Sequence, residues 1–226
     1  CGMMGKKIIW HLQDLISDRY FGFLHFIINN TANLFADFVI CDGQLIKDNL
    51  KGHAYNNSKV VFNGVNVDEL KISDESRVDT RNELKIPLDA YVIGNVARIT
   101  PWKGQKYLLN AFIEYSKQNK NAFLLLVGSP LFDGKKYYKE LLEIIKKNNL
   151  MKRVILPGYR TDLQNIYSSI DLFVYTSVEK DTTPLSLISA LSSGLSSIVS
   201  NIPSLSEVVS CFKNVKTFDC NDTRNI

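Results

Sequence analysis

Residues 91–118 read YVIGNVARITPWKGQKYLLNAFIEYSKQ. The run begins with YVIGNV, short and apolar with β-branched residues, which suits a buried strand better than a helix. It ends with KYLLNAFIEYSKQ, where Leu108, Leu109, Phe112 and Tyr115 recur at helical spacing and predict one buried stripe. Between them lies ARITPWKGQ, a loop punctuated by Pro101 and Gly104. Strand, short loop and amphipathic helix make one βα unit. The same alternation recurs along the chain. KIIWHL, FADFVICDG, KVVFNG, AFLLLVG, RVILPG, DLFVYTS and SSIVSN all read as strands, with helical patterns between them, one carrying a stripe of Tyr138, Leu141, Leu142 and Ile145. Such alternation predicts an α/β protein with parallel sheets flanked by crossover helices.

The remaining features restrict the function classes. The chain has 226 residues, 45% of them hydrophobic, so one large or two smaller domains with ordinary cores are within reach. Net charge is +4, spread over lysines along the sequence. Scattered helix-face lysines do not make a nucleic-acid site. A mildly basic surface can touch an anionic membrane peripherally, although no compact basic cluster drives it. Cys1, Cys41, Cys211 and Cys220 have neither metal-type nor disulfide-scaffold spacing, which predicts a reducing, cytoplasmic setting and no metal site. The sequons at Asn29, Asn56 and Asn221 are then chance matches. YFGFLHFIINNTANLFADFVI has the length of a membrane span, yet Asn29, Asn30, Asn33 and Asp37 interrupt it, and a buried helix running into a strand is expected. The chain opens on Cys1 and quickly reaches a strand of central character, which reads as a fragment truncated at both ends. The polar stretch KISDESRVDTRNELKIPLDA reads as the connection between two Rossmann-like halves.

In open parallel sheets, ligands gather where strands end and helices begin. Arg98 and Lys103 occupy such a loop, and a planar fork with a compact ammonium suits a diphosphate. The alternative is that Arg98 pairs with a carboxylate and Lys103 simply lies on the surface. A second loop, SVEKDTTPLSLISALSSG, opens another helix: Thr182 or Thr183 is placed to cap it, Pro184 suits its first turn, and Gly194 suits its end. Asp181 there can accept hydrogen bonds from sugar hydroxyls, or can simply favour the helix dipole.

Five motifs, NGVNVDEL, GNVARITPWKGQKYLLNAF, LLLVGSP, ILPGYRTDLQNIYSSIDLFVYTS and DTTPLSLISALSSG with SNIPSLSEVV, resemble in that order those of family-4 glycosyltransferases with the GT-B fold. The resemblance covers roughly residues 6 to 209. It implies two Rossmann-like domains of GT-B type: residues 1–66 as the end of an acceptor-side domain, and 67–226 as an incomplete nucleotide-sugar-binding domain. The implied activity is transfer of a sugar, with retention and without metal or other cofactor, from a nucleotide-sugar donor to an acceptor that is a sugar, lipid-linked or a small molecule. Polysaccharide or glycoconjugate assembly at the inner face of the membrane is the setting it implies. Arg98 and Lys103 match the basic pair on the donor diphosphate, and Thr182, Thr183 and Leu185 the turn whose amides meet phosphate. Asp181 matches the acid on the donor hexose, and Tyr159 and Arg160 the nucleobase side. His11 lies where a histidine approaches the reacting sugar, with Gln13 competing for that place. His11 and Asp181 are thus the implied catalytic residues.

The chain also departs from the pattern. Ser189 stands where a second acid would hold the donor ribose, and Ser196 and Ser204 replace a proline and a glycine. A charge-assisted hydrogen bond is worth about 1.5–3 kcal/mol, so losing that acid weakens donor binding by about one to two orders of magnitude. Two other readings therefore stand beside transfer: a nucleotide-sugar epimerase on the same architecture, and a non-catalytic glycosyltransferase-like binding protein. A dehydrogenase would need a G-x-G-x-x-G after a strand, and none is present.

Overall fold

The computed structural model describes residues 5–13, 23–131, 134–179 and 181–219. Two compact units emerge. One comprises residues 1–64 with 180–184, and the other 65–179 with 185–226.

In the smaller unit, β1 (Ile9–Leu12), β2 (Phe38–Cys41) and β3 (Ser58–Val60) form a parallel sheet in chain order. Helix α1 (Phe23–Phe35) links β1 to β2, while α2 (Gln44–Asp48) and α3 (Gly52–Asn56) precede β3. Ala32, Ala36, Val39, Cys41, Ile46, Leu50 and Ala54 make its core. The stretch with the length of a membrane span does run from helix into strand. It is not a buried helix, because Phe26 and Leu34 are 64% and 74% exposed. The Asn29 and Asn33 side chains are used inward instead, accepting from the Lys51 and Ala54 amides. No helix among the described residues is long and apolar enough to cross a membrane.

The larger unit holds a six-stranded parallel sheet. Its strands are β4 (Tyr91–Val96), β5 (Ala122–Val127), β6 (Val154–Gly158), β7 (Leu172–Tyr175), β8 (Ser197–Ser200) and β9 (Val215–Phe218), in the spatial order β6-β5-β4-β7-β8-β9. Every residue of β5 is buried, as a central strand covered on both faces requires. Side chains alternate between two cores. Val92, Val96, Leu125, Phe173 and Tyr175 meet Ile166 and Tyr167 of α7 (Leu163–Ser168) and Leu187 and Leu191 of α8 (Leu185–Ser192). Ile93, Leu124, Leu126 and Val174 meet Leu108, Leu109 and Phe112 of α5 (Gln105–Gln118) and Tyr137, Leu141 and Ile145 of α6 (Gly134–Lys147). The α6 stripe thus buries Tyr137, Leu141 and Ile145, with the expected Tyr138 packed partly buried against the same core, and Tyr115 of α5 is 41% exposed.

The polar stretch expected to connect two halves lies within the larger unit, where Asp74–Glu83 form α4. Ser73 caps it by accepting from the Ser76 amide. Arg81, fully buried, donates to the carbonyls of Ser169, Leu88 and Ala90 and to the Asp171 carboxylate. A guanidinium with all these partners takes the place a hydrophobe would normally fill, which is why hydrophobicity did not mark this helix.

Candidate functional site

The strand order decides where a ligand can sit. Neighbours β4 and β7 lead in opposite directions across the sheet, so a crevice opens beyond their carboxyl ends. Arg98 and Lys103 follow β4, and Tyr175 and Thr176 close β7. Two hydrogen bonds stitch these ends together: the Val178 amide donates to the Trp102 carbonyl (2.9 Å), and the Thr176 hydroxyl to that of Lys103 (2.9 Å). Gly104, at φ 69°, lets them approach, since a Cβ there would stand 2.0 Å from the Thr176 carbonyl oxygen.

Trp102 is shared by the two cations. The Arg98 guanidinium is 5.5 Å and the Lys103 ammonium 4.3 Å from its ring centroid, both within cation–π range. Arg98 is exposed, with its carbonyl held by the Gln105 side chain at 2.8 Å. Lys103 is 7% exposed, and its ammonium reaches the Tyr175 hydroxyl at 2.5 Å. At the start of α5, the Lys106 amide donates to Tyr137, whose phenol burial pushes up to about 12. The β4–α5 loop therefore carries one accessible and one inward-held cation.

Beside it is a cavity of about 260 Å³ lined by Val96, Ala97, Gly128, Tyr159, Arg160 and Ser186, among others. It collects the ends of β4, β5 and β6 and the first turn of α8. Tyr159 is 73% exposed, with its ring available to stack. Arg160, expected on the nucleobase side, has its guanidinium held by both Asp162 and Glu83. Those hydrogen bonds, Asp162 first, hold the guanidinium pKa well above its ordinary value, and they lower both carboxyls. Arg160 fastens the Tyr159 loop to α4.

Leu185 starts α8 and is 52% exposed, and Gly194 ends the helix at φ 85°. Ser189 is 5% exposed on α8, beside the Tyr167 phenol, whose pKa burial pushes well up. Tyr167 in turn donates to the Ser186 carbonyl at 2.9 Å. The position expected at the donor ribose is thus a buried one on α8. Ser204 is likewise buried, in α9 (Pro203–Val209), while Ser196 is exposed before β8.

In the smaller unit, residues 181–184 group with the ends of β1 and β2. Thr182 donates to the Gln13 carbonyl (3.1 Å) and Thr183 to the Asp42 carbonyl (2.6 Å), in place of the helix-capping role expected of them. Asp181 is 8% exposed. His11, half-exposed near the end of β1, has Nε2 2.6 Å from the Asp42 carboxylate, which also accepts from Asn63. The structure brings His11 and Asp181–Thr183 to the same strand ends. Among the described residues, no group of three or more His, Cys, Asp or Glu side chains could hold a metal ion.

Sequence reading named neither Tyr175 nor Asp42. Each is a polar group directly closing an apolar strand, the one signal that could have marked them.

Comparison with known proteins agrees with this architecture. The profile of the family described as Glycosyl transferases group 1 matches residues 76–225. An uncharacterized glycosyltransferase of Methanocaldococcus jannaschii is 30% identical over 198 residues, which is 84% of this chain and 47% of the relative. The UDP-Gal:alpha-D-GlcNAc-diphosphoundecaprenol alpha-1,3-galactosyltransferase of Escherichia coli is 30% identical over 174 residues, 74% of this chain and 41% of that one. The chain therefore spans less than half the length of these curated relatives. Among solved structures, Anabaena HepE in complex with UDP and glucose matches with a TM-score of 0.88 at 25% identity, covering 99% of this chain and 61% of HepE. A family profile spanning well over half the residues, on parallel sheets flanked by helices, decides the assignment: the chain belongs to the group 1 glycosyl transferases, with a fold of the GT-B type.

Proposed function

We propose that this protein is a family-4, retaining glycosyltransferase that moves a hexose from a UDP-sugar to an acceptor without a metal ion. What carries the reading is the pair Arg98 and Lys103, set about Trp102 at the crevice between β4 and β7 and next to the cavity walled by Tyr159 and Ser186. As the bond from the anomeric carbon to the donor diphosphate breaks, the electron pair leaves with the diphosphate. Two fixed cations stabilise that charge where a metal would otherwise be needed. Tyr159 offers a face for the base, and the first-turn amides of α8 at Leu185 face phosphate. Asp181 and His11 hold the sugar.

UDP is the proposed nucleotide because HepE carries UDP in its solved complex and the Escherichia coli relative is named for UDP-Gal. That relative is also named for a diphosphoundecaprenol-linked acceptor, which favours a lipid-linked acceptor and work at the cytoplasmic membrane face here. An epimerase would use the same donor without an acceptor, and changed stereochemistry in the product would identify it.

Calorimetric titration of the full-length protein with UDP, GDP and ADP tests the reading. UDP is expected to bind saturably, and an Arg98→Ala/Lys103→Ala variant to lose about two orders of magnitude in affinity, the scale of two charge-assisted hydrogen bonds. Absence of binding to all three nucleotides would leave a non-catalytic, partner-binding protein, with the buried Ser189 as the reason.

A further inference from the structure

We propose that Asp42 is a positioning residue for His11, fixing the tautomer that leaves Nδ1 as the acceptor for a sugar hydroxyl. The inference rests on the glycosyltransferase reading for the identity of that hydroxyl, and on the geometry alone for the tautomer.

His11 is the last residue but one of β1 and Asp42 directly follows β2, two neighbouring parallel strands paired from Ile9 with Phe38 to Leu12 with Cys41. That register puts the two side chains at the same carboxyl edge of the sheet. Nε2 of His11 stands 2.6 Å from Oδ1 of Asp42, and Asn63 Nδ2 donates to Oδ2 at 2.8 Å. The Asp42 side chain is 1% exposed, while that of His11 is 45% exposed. A carboxylate has lone pairs and no proton to offer, so in the neutral imidazole the single ring hydrogen belongs on Nε2. Nδ1 then carries the lone pair, and among the described residues it has no hydrogen-bond partner. An imidazole oriented by a buried acid, with its other nitrogen available, is the arrangement by which a histidine presents an acceptor of fixed direction.

Asp42 also organises its surroundings through its backbone. Its carbonyl accepts the Thr183 hydroxyl at 2.6 Å, and Thr182 donates to Gln13, two residues after His11. The loop bearing Asp181 is thereby fastened to the same two strand ends as the imidazole. A sugar hydroxyl is the ligand such an acceptor recognises, donating to His11 Nδ1.

Asp42→Asn separates these roles, because the Thr183 bond is made to the main chain and survives. Asn63 still donates toward the former Oδ2, so the new amide turns its oxygen to Asn63 and its NH2 group to His11. Nε2 must then accept, the ring proton moves to Nδ1, and the acceptor becomes a donor. Heteronuclear NMR of the imidazole nitrogens in the full-length protein is expected to show Nε2–H in the native protein and Nδ1–H in the variant. Calorimetry with UDP-glucose and with UDP supplies the second readout. Asp42→Asn and His11→Ala should each weaken UDP-glucose about three- to tenfold, leave UDP unchanged, and be no worse together than His11→Ala alone. An unchanged tautomer, equal losses for UDP and UDP-glucose, or losses that multiply in the double variant would each overturn the proposal. If the native protein binds neither ligand, the UDP-sugar reading fails by itself, and the nitrogen spectra still decide whether Asp42 sets the ring.

Discussion

Lys103 poses a problem of solvation. An ammonium at 7% exposure must recover in hydrogen bonds and ring contacts what it loses in water. The Tyr175 hydroxyl supplies an acceptor at 2.5 Å, and the rings of Trp102 and Tyr175 lie 4.3 and 5.0 Å from the charge. Tyr175→Phe keeps the ring and removes the acceptor, and should lower stability by about 1–3 kcal/mol. Lys103→Met fills similar space without the charge, so in its presence the Tyr175→Phe loss should largely vanish. Urea denaturation of the two single variants and the double checks this; additive losses would mean that Tyr175 serves packing rather than the ammonium. The residue scale also shows what sequence could reveal about the site. Arg98 and Lys103 were legible because two basic residues in one strand-to-helix loop are a local pattern. Tyr175 and Asp42 were not, because each matters through a partner 72 or 31 residues away that strand order alone brings near. Ser189 was legible as a departure, whereas its burial beside Tyr167 was not.

At the scale of elements, the decisive joint is where the β4–α5 loop lies against the end of β7. Gly104 occupies the left-handed region, which costs a residue with a side chain about 1–2 kcal/mol, and a Cβ would collide with the Thr176 carbonyl at 2.0 Å. Gly104→Ala is therefore expected to cost more than about 2 kcal/mol and to push the loop away from β7. Because that loop carries both cations, UDP affinity should fall with stability, unlike in Arg98→Ala, where affinity should fall alone. A Gly104→Ala protein with native denaturation midpoint and UDP affinity would show that the joint tolerates the shift. The strands themselves were readable, since apolar runs such as AFLLLV are buried at every position. β9 was missed: in VKTF only Phe218 is buried, so the run carries little hydrophobic signal. Helix α4 was missed for the opposite reason, being folded around Arg81 and Thr80 rather than an apolar stripe. No local pattern states the order β6-β5-β4-β7-β8-β9, which arises from non-local pairing.

For the molecule as a whole, that polar anchor sets a dependence on pH. Asp171 accepts from the Val92 amide (2.7 Å), Arg77 (2.6 Å) and Arg81 (2.8 Å), joining α4 to the sheet. Burial acts to raise its pKa, but the Val92 amide and the two guanidinium groups outweigh it and hold the carboxyl below its ordinary value. In the unfolded chain an aspartate titrates near about 3.9. Between the folded value and that one, the unfolded state binds more protons, so stability falls as pH falls. The contribution is complete above the unfolded value and lost as pH drops through the folded one. Asp171 is one of 23 acidic residues set against 27 lysines and arginines, so wild-type acid unfolding alone cannot isolate it. Asp171→Asn can. It leaves the buried Arg81 without its counter-charge and should cost about 3–5 kcal/mol at pH 7. Asparagine does not titrate, so the gap to wild type should narrow steadily as pH falls below about 4. Urea denaturation midpoints of both proteins from pH 7 down to 3 measure that gap. A gap of constant size would mean that Asp171 holds α4 by shape and hydrogen bonds alone, with its charge contributing nothing.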